Sequence, residues 1–451
     1  MPVGPDGALG LYLLHRWIGV GRPPWKVLSS TILVSTRIGM KFRTLLIITA
    51  LLTLTVSSMA GQGACAQAAS APWPMFMADP GHTSRSPLNT SSNPGQAVNW
   101  VPIWATGNAS VVISARGTYF ASSGTVLYRL SAEHVRMNRN VGNDSLVGTP
   151  AVGWNDTAYV GSLDMYINCL DGNGTSWWEY NTSAPVWSSP TIVDNSTLYV
   201  TSAGLMSFTL DGKLNWRVLN NVTTRSSPAV SADGSIYFGA EDGNLYAVDR
   251  NGTTEWEFHT GAAVRTSPSI DDAGNIHFGT DDGSVLCVSP DGRLLWSFST
   301  GTPVRSSVGI RSDGTSMLLT GDGRLVAIDR NGSMEWSLKL DGYNVTRSLA
   351  LDSRGICYVG SDSTIYSVRT DGTVRWTYRI SSGFVGSPAI TQNGTVAFGS
   401  STGLFELGQV NEGNEWVVLA GVLVPPLILC AVLILGARRL RRGKAVEKKA
   451  E

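Results

Sequence analysis

The amino-acid sequence predicts an all-β protein built from repeated units of about 40 residues, and three observations carry this prediction. A segment that begins RSSPAVSADGSIYFG at Arg225 returns in closely similar form from Arg265. Asp-Gly and Asn-Gly pairs separate short apolar runs in each unit, and such pairs are strong hairpin signals. Tryptophans recur near the end of each unit, the last five of them 40 residues apart: Trp178, Trp216, Trp256, Trp296, Trp336 and Trp376.

Each unit reads as four short strands joined by tight turns. In the Arg225 unit, Ile236, Tyr237 and Phe238 are β-branched or aromatic residues that suit a pleated surface. No unit shows the 3.6-residue period of a helical solenoid. Four antiparallel strands in about 40 residues predict one blade of a β-propeller. We expect the repeated tryptophans to fill the wedge between adjacent blades, because a single blade cannot bury its faces alone.

The number of repeats predicts eight blades, with seven as the alternative. The last repeat, from Ser387 to Leu407, supplies only three strands. We expect a strand near residues 99–107 to complete it and close the ring, because an open ring would leave exposed sheet edges. The first strands are expected near Val111, Gly148, Ser188, Ser226, Thr266, Ser306, Ser348 and Ser387.

Two motifs resemble the quinoprotein-like, or PQQ-like, propeller family. Residues 247–256 (AVDRNGTTEW) resemble the tryptophan-docking motif of that family, and residues 327–336 repeat the pattern. WPMFMADPGHTSRSP, residues 73–87, resembles the segment that precedes its first blade. The resemblance covers roughly residues 73–408 and implies either of two functions. Some members are non-catalytic scaffolds of outer-membrane assembly, and others are dehydrogenases that use pyrroloquinoline quinone with calcium.

The chain before the repeats looks like an export signal. Lys41 and Arg43 precede an apolar run, and small residues follow it near Cys65, which is the layout of a secretory signal peptide. We therefore assign residues 40–68 to a signal peptide, with a lipidated Cys65 as the alternative. We expect residues 1–39 to be a non-native extension, with translation starting at Met40.

The chain after the repeats looks like a membrane anchor. The propeller ectodomain is assigned to residues 69–410 and a polar linker to 411–415. Residues 416–436 are apolar and uncharged, long enough to span a bilayer as one helix. Seven basic residues follow in 437–451, which predicts a cytosolic C-terminus. The protein is thus expected to cross the cytoplasmic membrane once, with its propeller outside the cell or in the periplasm.

Composition agrees with an exported binding domain. Lys+Arg and Asp+Glu both number 34, so no basic excess points to nucleic acid. We expect a monomeric ectodomain that meets an extracellular protein or glycan. Several Asn-x-Ser/Thr sequons are candidates for N-glycosylation: Asn89, Asn108, Asn143, Asn155, Asn181, Asn195, Asn221 and Asn344.

The sequence contains little that indicates catalysis. Cys169, Cys287 and Cys357 are isolated in different repeats, which predicts buried thiols, with one disulfide as the alternative. No histidine spacing indicates zinc, and we predict no catalytic, metal or cofactor site. Arginines recur just before first strands and form a candidate anion- or partner-binding ring at the channel mouth: Arg225, Arg265, Arg305 and Arg347. Pairing of each arginine with an acid on a neighbouring blade is the alternative explanation.

The most favoured function is a non-catalytic binding or scaffold module. A dehydrogenase that uses pyrroloquinoline quinone and calcium is the alternative. The resemblance implies that such enzymes carry insertions with calcium ligands, a catalytic aspartate and often paired cysteines. This chain has compact repeats with few insertions, and those residues cannot be matched in it.

Overall fold

The computed structural model describes residues 73–90, 96–101, 110–130, 135–381, 383–401 and 403–408. These residues form 31 β-strands arranged in eight sheets, and no helix occurs among them. The eight sheets are the blades of an all-β propeller, as the repeats predicted. Residues 1–72 and 409–451 lie outside the described part, and with them the predicted extension, signal peptide, linker, membrane span and tail. The described residues contain no helix long and apolar enough to cross a membrane.

The first four blades follow one another along the chain. Blade 1 contains β2 (Ser110–Ile113), β3 (Tyr119–Ser123), β4 (Val126–Leu130) and β5 (Val135–Asn140). Blade 2 contains β6 (Ala151–Val152), β7 (Ala158–Gly161), β8 (Tyr166–Leu170) and β9 (Ser176–Asn181). Blade 3 contains β10 (Thr191–Val193), β11 (Thr197–Thr209) and β12 (Leu214–Thr223). Blade 4 contains β13 (Ala229–Val230), β14 (Ile236–Gly239), β15 (Asn244–Val248) and β16 (Thr254–His259).

The last four blades continue the pattern. Blade 5 contains β17 (Ser269–Ile270), β18 (Ile276–Gly279), β19 (Ser284–Val288) and β20 (Leu294–Ser299). Blade 6 contains β21 (Gly309–Ile310), β22 (Ser316–Leu319), β23 (Arg324–Ile328) and β24 (Met334–Lys339). Blade 7 contains β25 (Ala350–Leu351), β26 (Cys357–Ser361), β27 (Thr364–Val368) and β28 (Val374–Arg379). Blade 8 contains β29 (Ala389–Ile390), β30 (Val396–Gly399), β31 (Leu404–Gly408) and the N-terminal strand β1 (Gln96–Val101).

Strand β1 supplies the outer edge of blade 8. It pairs antiparallel with β31, from Gln96 opposite Gly408 to Val101 opposite Leu404. The chain therefore closes its ring with a strand from before the first blade, which covers the edge that β31 would otherwise expose. This strand overlaps the expected range 99–107 only at residues 99–101, and residues 102–109 lie outside the described part.

Blade 3 differs from the other seven because it has three strands. Its middle strand β11 is 13 residues long and pairs first with β10 and then with β12. In blade 4 the corner between the middle strands is a turn with Asp242 and Gly243. In β11 the equivalent stretch lacks the Asp-Gly pair, and the strand continues through Gly204 at a φ of +87°.

The first strand of each blade lies nearest the axis. First strands of neighbouring blades contact one another, for example β13 with β17 and β2 with β29. The second and third strands are almost wholly buried, whereas the fourth strand alternates between exposed and half-buried residues. The core is therefore a ring of clusters between blades, as expected when each blade packs only on its neighbours.

Residues 73–90 close one end of the central channel. Trp73, Met77 and His82 are almost fully buried there. Backbone carbonyls of this segment accept hydrogen bonds from the last residues of six first strands, whose inward-facing N–H groups would otherwise lack acceptors. The pairs are Ile113 with Trp73, Val152 with Pro74, Val230 with Pro80, Ile270 with Gly81, Ile310 with Thr83 and Leu351 with Ser84, at 2.7–3.0 Å. We call residues 73–90 the plug.

Candidate functional site

The predicted arginine ring lies at the other end of the channel, opposite the plug. Arg225, Arg265 and Arg305 each stand four residues before the first strand of their blade, whereas the plug contacts the last residues of those strands. Arg347 stands three residues before β25, so Thr346 takes the place equivalent to Arg305. Trp187 takes the same place in blade 3. We call this end the mouth; three of the four predicted arginines occupy it in register, and Arg347 lies one residue further along.

Two of the arginines share one carboxylate. Arg265 donates to Glu241 of the preceding blade, with Nη2 2.6 Å from Oε2, and also contacts Asp281 of its own blade. Arg225 approaches the same Glu241 at 3.0 Å. The hydrogen bond from Arg265 lowers the pKa of Glu241, and the positive charge of Arg225 adds to the effect. On this side of the mouth the arginines are structural ion pairs between and within blades.

The other two arginines have no carboxylate partner among the described residues. Arg305 and Arg347 form no ion pair and no side-chain hydrogen bond there. The side chain of Arg347 is exposed to the channel, but many protein atoms lie close to its guanidinium group. This burial, and then the positive charge of Arg225, lower the pKa of Arg347. Arg225 itself lies over the Trp187 ring, 4.3 Å from its centroid. The described residues therefore leave positive charge uncompensated on one side of the mouth.

Serines line the channel wall below the arginines. In blades 2 to 5 the residue two places before the first strand donates its backbone N–H to the side chain of the equivalent serine in the next blade. The pairs are Thr149 to Ser189 (2.9 Å), Ser189 to Ser227 (2.9 Å), Ser227 to Ser267 (2.9 Å) and Ser267 to Ser307 (3.0 Å). We call Ser189, Ser227, Ser267 and Ser307 the serine ladder. It joins successive blades by hydrogen bonds that face the channel.

The mouth contains two adjoining cavities. The first, which we call the pit, has a volume of about 170 Å³ and lies between the serine ladder, the four arginines, Trp187 and the plug residue Phe76. The second, which we call the groove, has a volume of about 400 Å³ and shares Val147 and Arg347 with the pit. Serines and the 46% exposed Phe384 line the groove. The channel is thus a blind pit, closed below by the plug and open above to a polar groove.

The repeated tryptophans pack against the next blade. Five indoles lie beneath a glycine of the following blade: Trp178 under Gly212, Trp216 under Gly252, Trp256 under Gly292, Trp296 under Gly332 and Trp336 under Gly372. Four of them also donate their Nε1–H to a carbonyl of that blade: Trp178 to Leu210, Trp216 to Arg250, Trp256 to Pro290 and Trp336 to Thr370, at 2.8–3.0 Å. The Nε1 atoms of Trp296 and Trp376 have no partner among the described residues.

The predicted glycosylation asparagines lie mostly on the surface. Asn155 is half-buried, and Asn108 lies outside the described residues. The exposed ones are Asn89, Asn143, Asn181, Asn195, Asn221 and Asn344. Their glycosylation remains a prediction.

The cysteines are free thiols in separate blades. Cys169, Cys287 and Cys357 are all buried, in β8, β19 and β26, and none forms a disulfide. Burial raises the pKa of both Cys169 and Cys287 to about 12, and it also raises the pKa of Cys357. Thiolate chemistry at neutral pH is therefore disfavoured at all three.

The described residues do not fit a calcium-bound quinone. They contain no group of three or more His, Cys, Asp or Glu residues placed to hold a metal ion. The carboxylate among the residues that line the pit is Asp281, and Arg265 already engages it. Calcium needs six to eight oxygen ligands, mostly carboxylates and carbonyls. We therefore derive no reaction step through that cofactor.

Sequence reasoning found the arginines but missed two features beside them. Three of the four serines of the ladder were visible as the second hydroxyl residue after each in-register arginine, as in Ser227 after Arg225. The acidic partners were visible too: Glu241 and Asp281 each stand two residues after the second strand of their blade, and Gly321 takes that place in blade 6. The closing role of the plug has no signal in residue spacing alone.

The comparisons with known proteins agree with this architecture. A family model described as outer membrane protein assembly factor BamB matches residues 109–277 and 281–416, more than half of the chain. A search of curated proteins finds no match. The solved structures include BamB from Moraxella catarrhalis, with 16% identity, a TM-score of 0.58 and coverage of 69% of this chain and 99% of that one.

Two enzymes with the same fold are also similar. A europium-containing methanol dehydrogenase has 12% identity and a TM-score of 0.63, over 74% of this chain and 90% of its own. The quinohemoprotein alcohol dehydrogenase from Comamonas testosteroni has 12% identity and a TM-score of 0.64, over 77% and 82%. At such identities these likenesses concern the fold alone, so they do not separate a scaffold from an enzyme. The family model matches most of the repeats, and the chain therefore belongs to the BamB family of PQQ-like β-propellers.

Proposed function

We propose that this protein is a non-catalytic binding module that presents the mouth of its propeller to a protein or glycan partner. The observation that carries the proposal is the difference between the two ends of the channel. The plug closes one end, whereas the other opens through the pit and the groove. Binding sites in proteins are usually concave and preformed, with a few placed polar groups.

The mouth offers both kinds of contact that a partner needs. Tyr343 is 72% exposed and Phe384 is 46% exposed, and both lie in the connections that lead to first strands. Aromatic side chains contribute much of the binding energy at protein interfaces and also stack on other flat groups. The arginines and the groove serines supply hydrogen-bond donors next to them. This mixture suits a partner segment with apolar and anionic groups.

The location belongs to the same proposal. With a signal peptide at 40–68 and a single span at 416–436, the propeller would sit outside the cytosol and be tethered to the membrane by its C-terminus. A tether of this kind would hold the binding face close to membrane-bound or extracellular partners. The name of the matched family, an outer membrane protein assembly factor, supports a partner of protein rather than of nucleic acid.

Site-specific photo-crosslinking on the full chain in its natural cells would test this. A benzoylphenylalanine at Tyr343 reports on the mouth. The same residue at Ser312, which is exposed in a turn on the plug side, is the matched control. We expect discrete adducts from Tyr343 and none from Ser312, and protease or glycosidase sensitivity would separate a protein partner from a glycan. Adducts from Ser312 alone would contradict the proposal, and so would turnover of an alcohol or sugar by the purified chain with added quinone and calcium.

A further inference from the structure

Apart from Asp281, the polar side chains that line the pit all carry hydrogen-bond donors. Each hydroxyl of the serine ladder accepts a backbone N–H, and none of the four donates to any described protein group. A serine hydroxyl has one proton to donate in addition to its acceptor capacity. Four O–H protons are therefore available beneath the arginines. A buried donor left without an acceptor is costly, so these protons call for an acceptor inside the pit.

A missing carboxylate accounts for the free charge of Arg305. Arg265 pairs with Asp281 of its own blade, and Arg225 pairs with Glu241 of its own blade. The equivalent place for Arg305 is Gly321, where a Cβ atom would lie 3.2 Å from the Pro303 carbonyl oxygen and 3.4 Å from the Arg305 Nε. An acidic group at this place would meet Arg305, and the described residues supply none.

Arg347 adds a second uncompensated guanidinium to the same space. It lines both the pit and the groove, and it faces Arg225 rather than any acid among the described residues. Two cations and a set of hydroxyl donors thus face one cavity in which the lining carboxylate, Asp281, is already paired with Arg265. Guanidinium groups bind carboxylate and phosphate through paired, charge-assisted hydrogen bonds.

We propose that the pit binds one compact oxyanion, a carboxylate or a phosphate, held by Arg305, Arg347 and the hydroxyls of the serine ladder. The size of the pit, about 170 Å³, lies below the 300–1,000 Å³ typical of pockets for drug-sized ligands. It therefore suits a single anionic group rather than a fused-ring cofactor. The anion comes either from a free small molecule or from an acidic side chain of a partner that enters through the groove. The second source rests on the proposed function, whereas the first does not.

Calorimetric titration of the full chain with three probes would test the site. The probes are succinate, inorganic phosphate and a tetraglutamate peptide, with tetraglutamine as the uncharged control. We expect at least one anionic probe to bind at a single site and tetraglutamine not to bind. Tetraglutamate at least tenfold tighter than succinate would indicate the partner as the source, and succinate or phosphate as tight or tighter would indicate a free anion. Failure of all three anionic probes to bind would overturn the proposal.

Three substitutions locate the binding in the pit. Gly321→Asp supplies the missing carboxylate; its φ is not positive, so the substitution adds no dihedral strain, and its Cβ would approach the Pro303 carbonyl oxygen to 3.2 Å. Arg305→Gln and Arg347→Gln remove one cation each. All three should weaken binding about tenfold or more, the effect of one charged hydrogen bond. Gly172→Asp and Arg293→Gln make the same charge changes in turns on the plug side and should leave binding within about twofold.

Thermal denaturation of each variant separates lost binding from lost folding. If Gly321→Asp folds as the wild type does and still binds the anion with unchanged affinity, the pit is not the site and the proposal fails. The crosslinking result at Tyr343 is independent of this outcome. Partner adducts from Tyr343 without any anion binding would refute the oxyanion site alone, whereas anion binding without adducts would refute only the proposed partner function.

Discussion

The contact between Trp216 and Gly252 allows the packing between blades to be measured. Gly252 has a φ of +88°, and a Cβ atom added to it would lie 2.8 Å from the Trp216 Cδ2. Ordinary carbon–carbon contacts lie at roughly 3.5–4.0 Å, so Gly252→Ala forces the indole away from its place. Gly261 has a nearly identical φ of +85° and nothing within 4 Å of such a Cβ. Gly261→Ala is therefore a control that carries the same backbone strain without the overlap.

The expected magnitudes follow from these distances. Positive φ costs an alanine roughly 1–2 kcal/mol in both variants. In Gly252→Ala, overpacking adds about 1–3 kcal/mol, and loss of the 3.0 Å hydrogen bond from the Trp216 Nε1 to the Arg250 carbonyl adds about 1 kcal/mol. We therefore expect Gly252→Ala to lower the free energy of unfolding by about 2–4 kcal/mol more than Gly261→Ala does.

Urea denaturation of the full chain, followed by circular dichroism, would measure the difference, provided that the slopes of the two transitions agree. Gly332→Ala is a useful third variant. It meets Trp296 with a φ of +85°, but the Trp296 Nε1 has no hydrogen bond to lose among the described residues, so its cost should be about 1 kcal/mol smaller. If Gly252→Ala and Gly261→Ala lower the free energy of unfolding equally, Gly252 is required only for its positive φ. That result would refute packing of the tryptophan between blades.

Three further predictions concern acid sensitivity, thiols and the mouth. Burial lowers the pKa of His82 from 6.5 to about 4, so the unfolded chain takes up the proton first, and the free energy of unfolding falls by up to ~3 kcal/mol as the pH drops from 6.5 towards 4. Plots of the free energy of unfolding against pH for the wild type and for His82→Gln should therefore differ in slope across this range. Parallel plots would contradict the prediction. Glu241→Gln frees Arg225 and leaves Arg265 paired with Asp281 alone, so it should tighten succinate binding about fivefold, the equivalent of ~1 kcal/mol. Unchanged affinity would argue against the electrostatic account. Iodoacetamide at pH 8 should leave the thiols of Cys169, Cys287 and Cys357 unmodified in the native chain and should label them after unfolding. Peptide mapping that finds any of these thiols labelled or disulfide-bonded in the native chain would contradict their burial.

Sequence reasoning reached the eight blades because the repeat is encoded locally. The turn Asn251–Gly252 and the strand that contains Trp256 are set by residue type and spacing within one unit. The same locality explains the error in blade 3, where a stretch without the Asp-Gly pair lets β11 run through the expected corner. Strand β1 begins at Gln96, before the expected range of 99–107, because its register with β31 depends on a pairing more than 300 residues away in the chain.

The site was only partly predictable for a related reason. The period placed Arg225, Arg265 and Arg305 together, since repeated positions recur around a ring. It could not say which arginines would be neutralised, because pairing depends on distances between blades. Once Glu241 and Asp281 are seen beside Arg265, the absence of an acid at Gly321 becomes meaningful. The plug was recognisable as a segment, but its six backbone contacts depend on the assembled ring.

The central claim is that the mouth holds an anion on its uncompensated side, and arginine side-chain NMR tests it most directly. The full chain, labelled with ¹⁵N at arginine Nε, would be recorded with and without succinate, and Arg305→Gln and Arg347→Gln would assign the two signals. The account predicts that the signals of Arg305 and Arg347 shift with a common affinity, while that of Arg265, held by Glu241 and Asp281, stays in place. Signals that do not move, or that move equally for all arginines including Arg293, would contradict it.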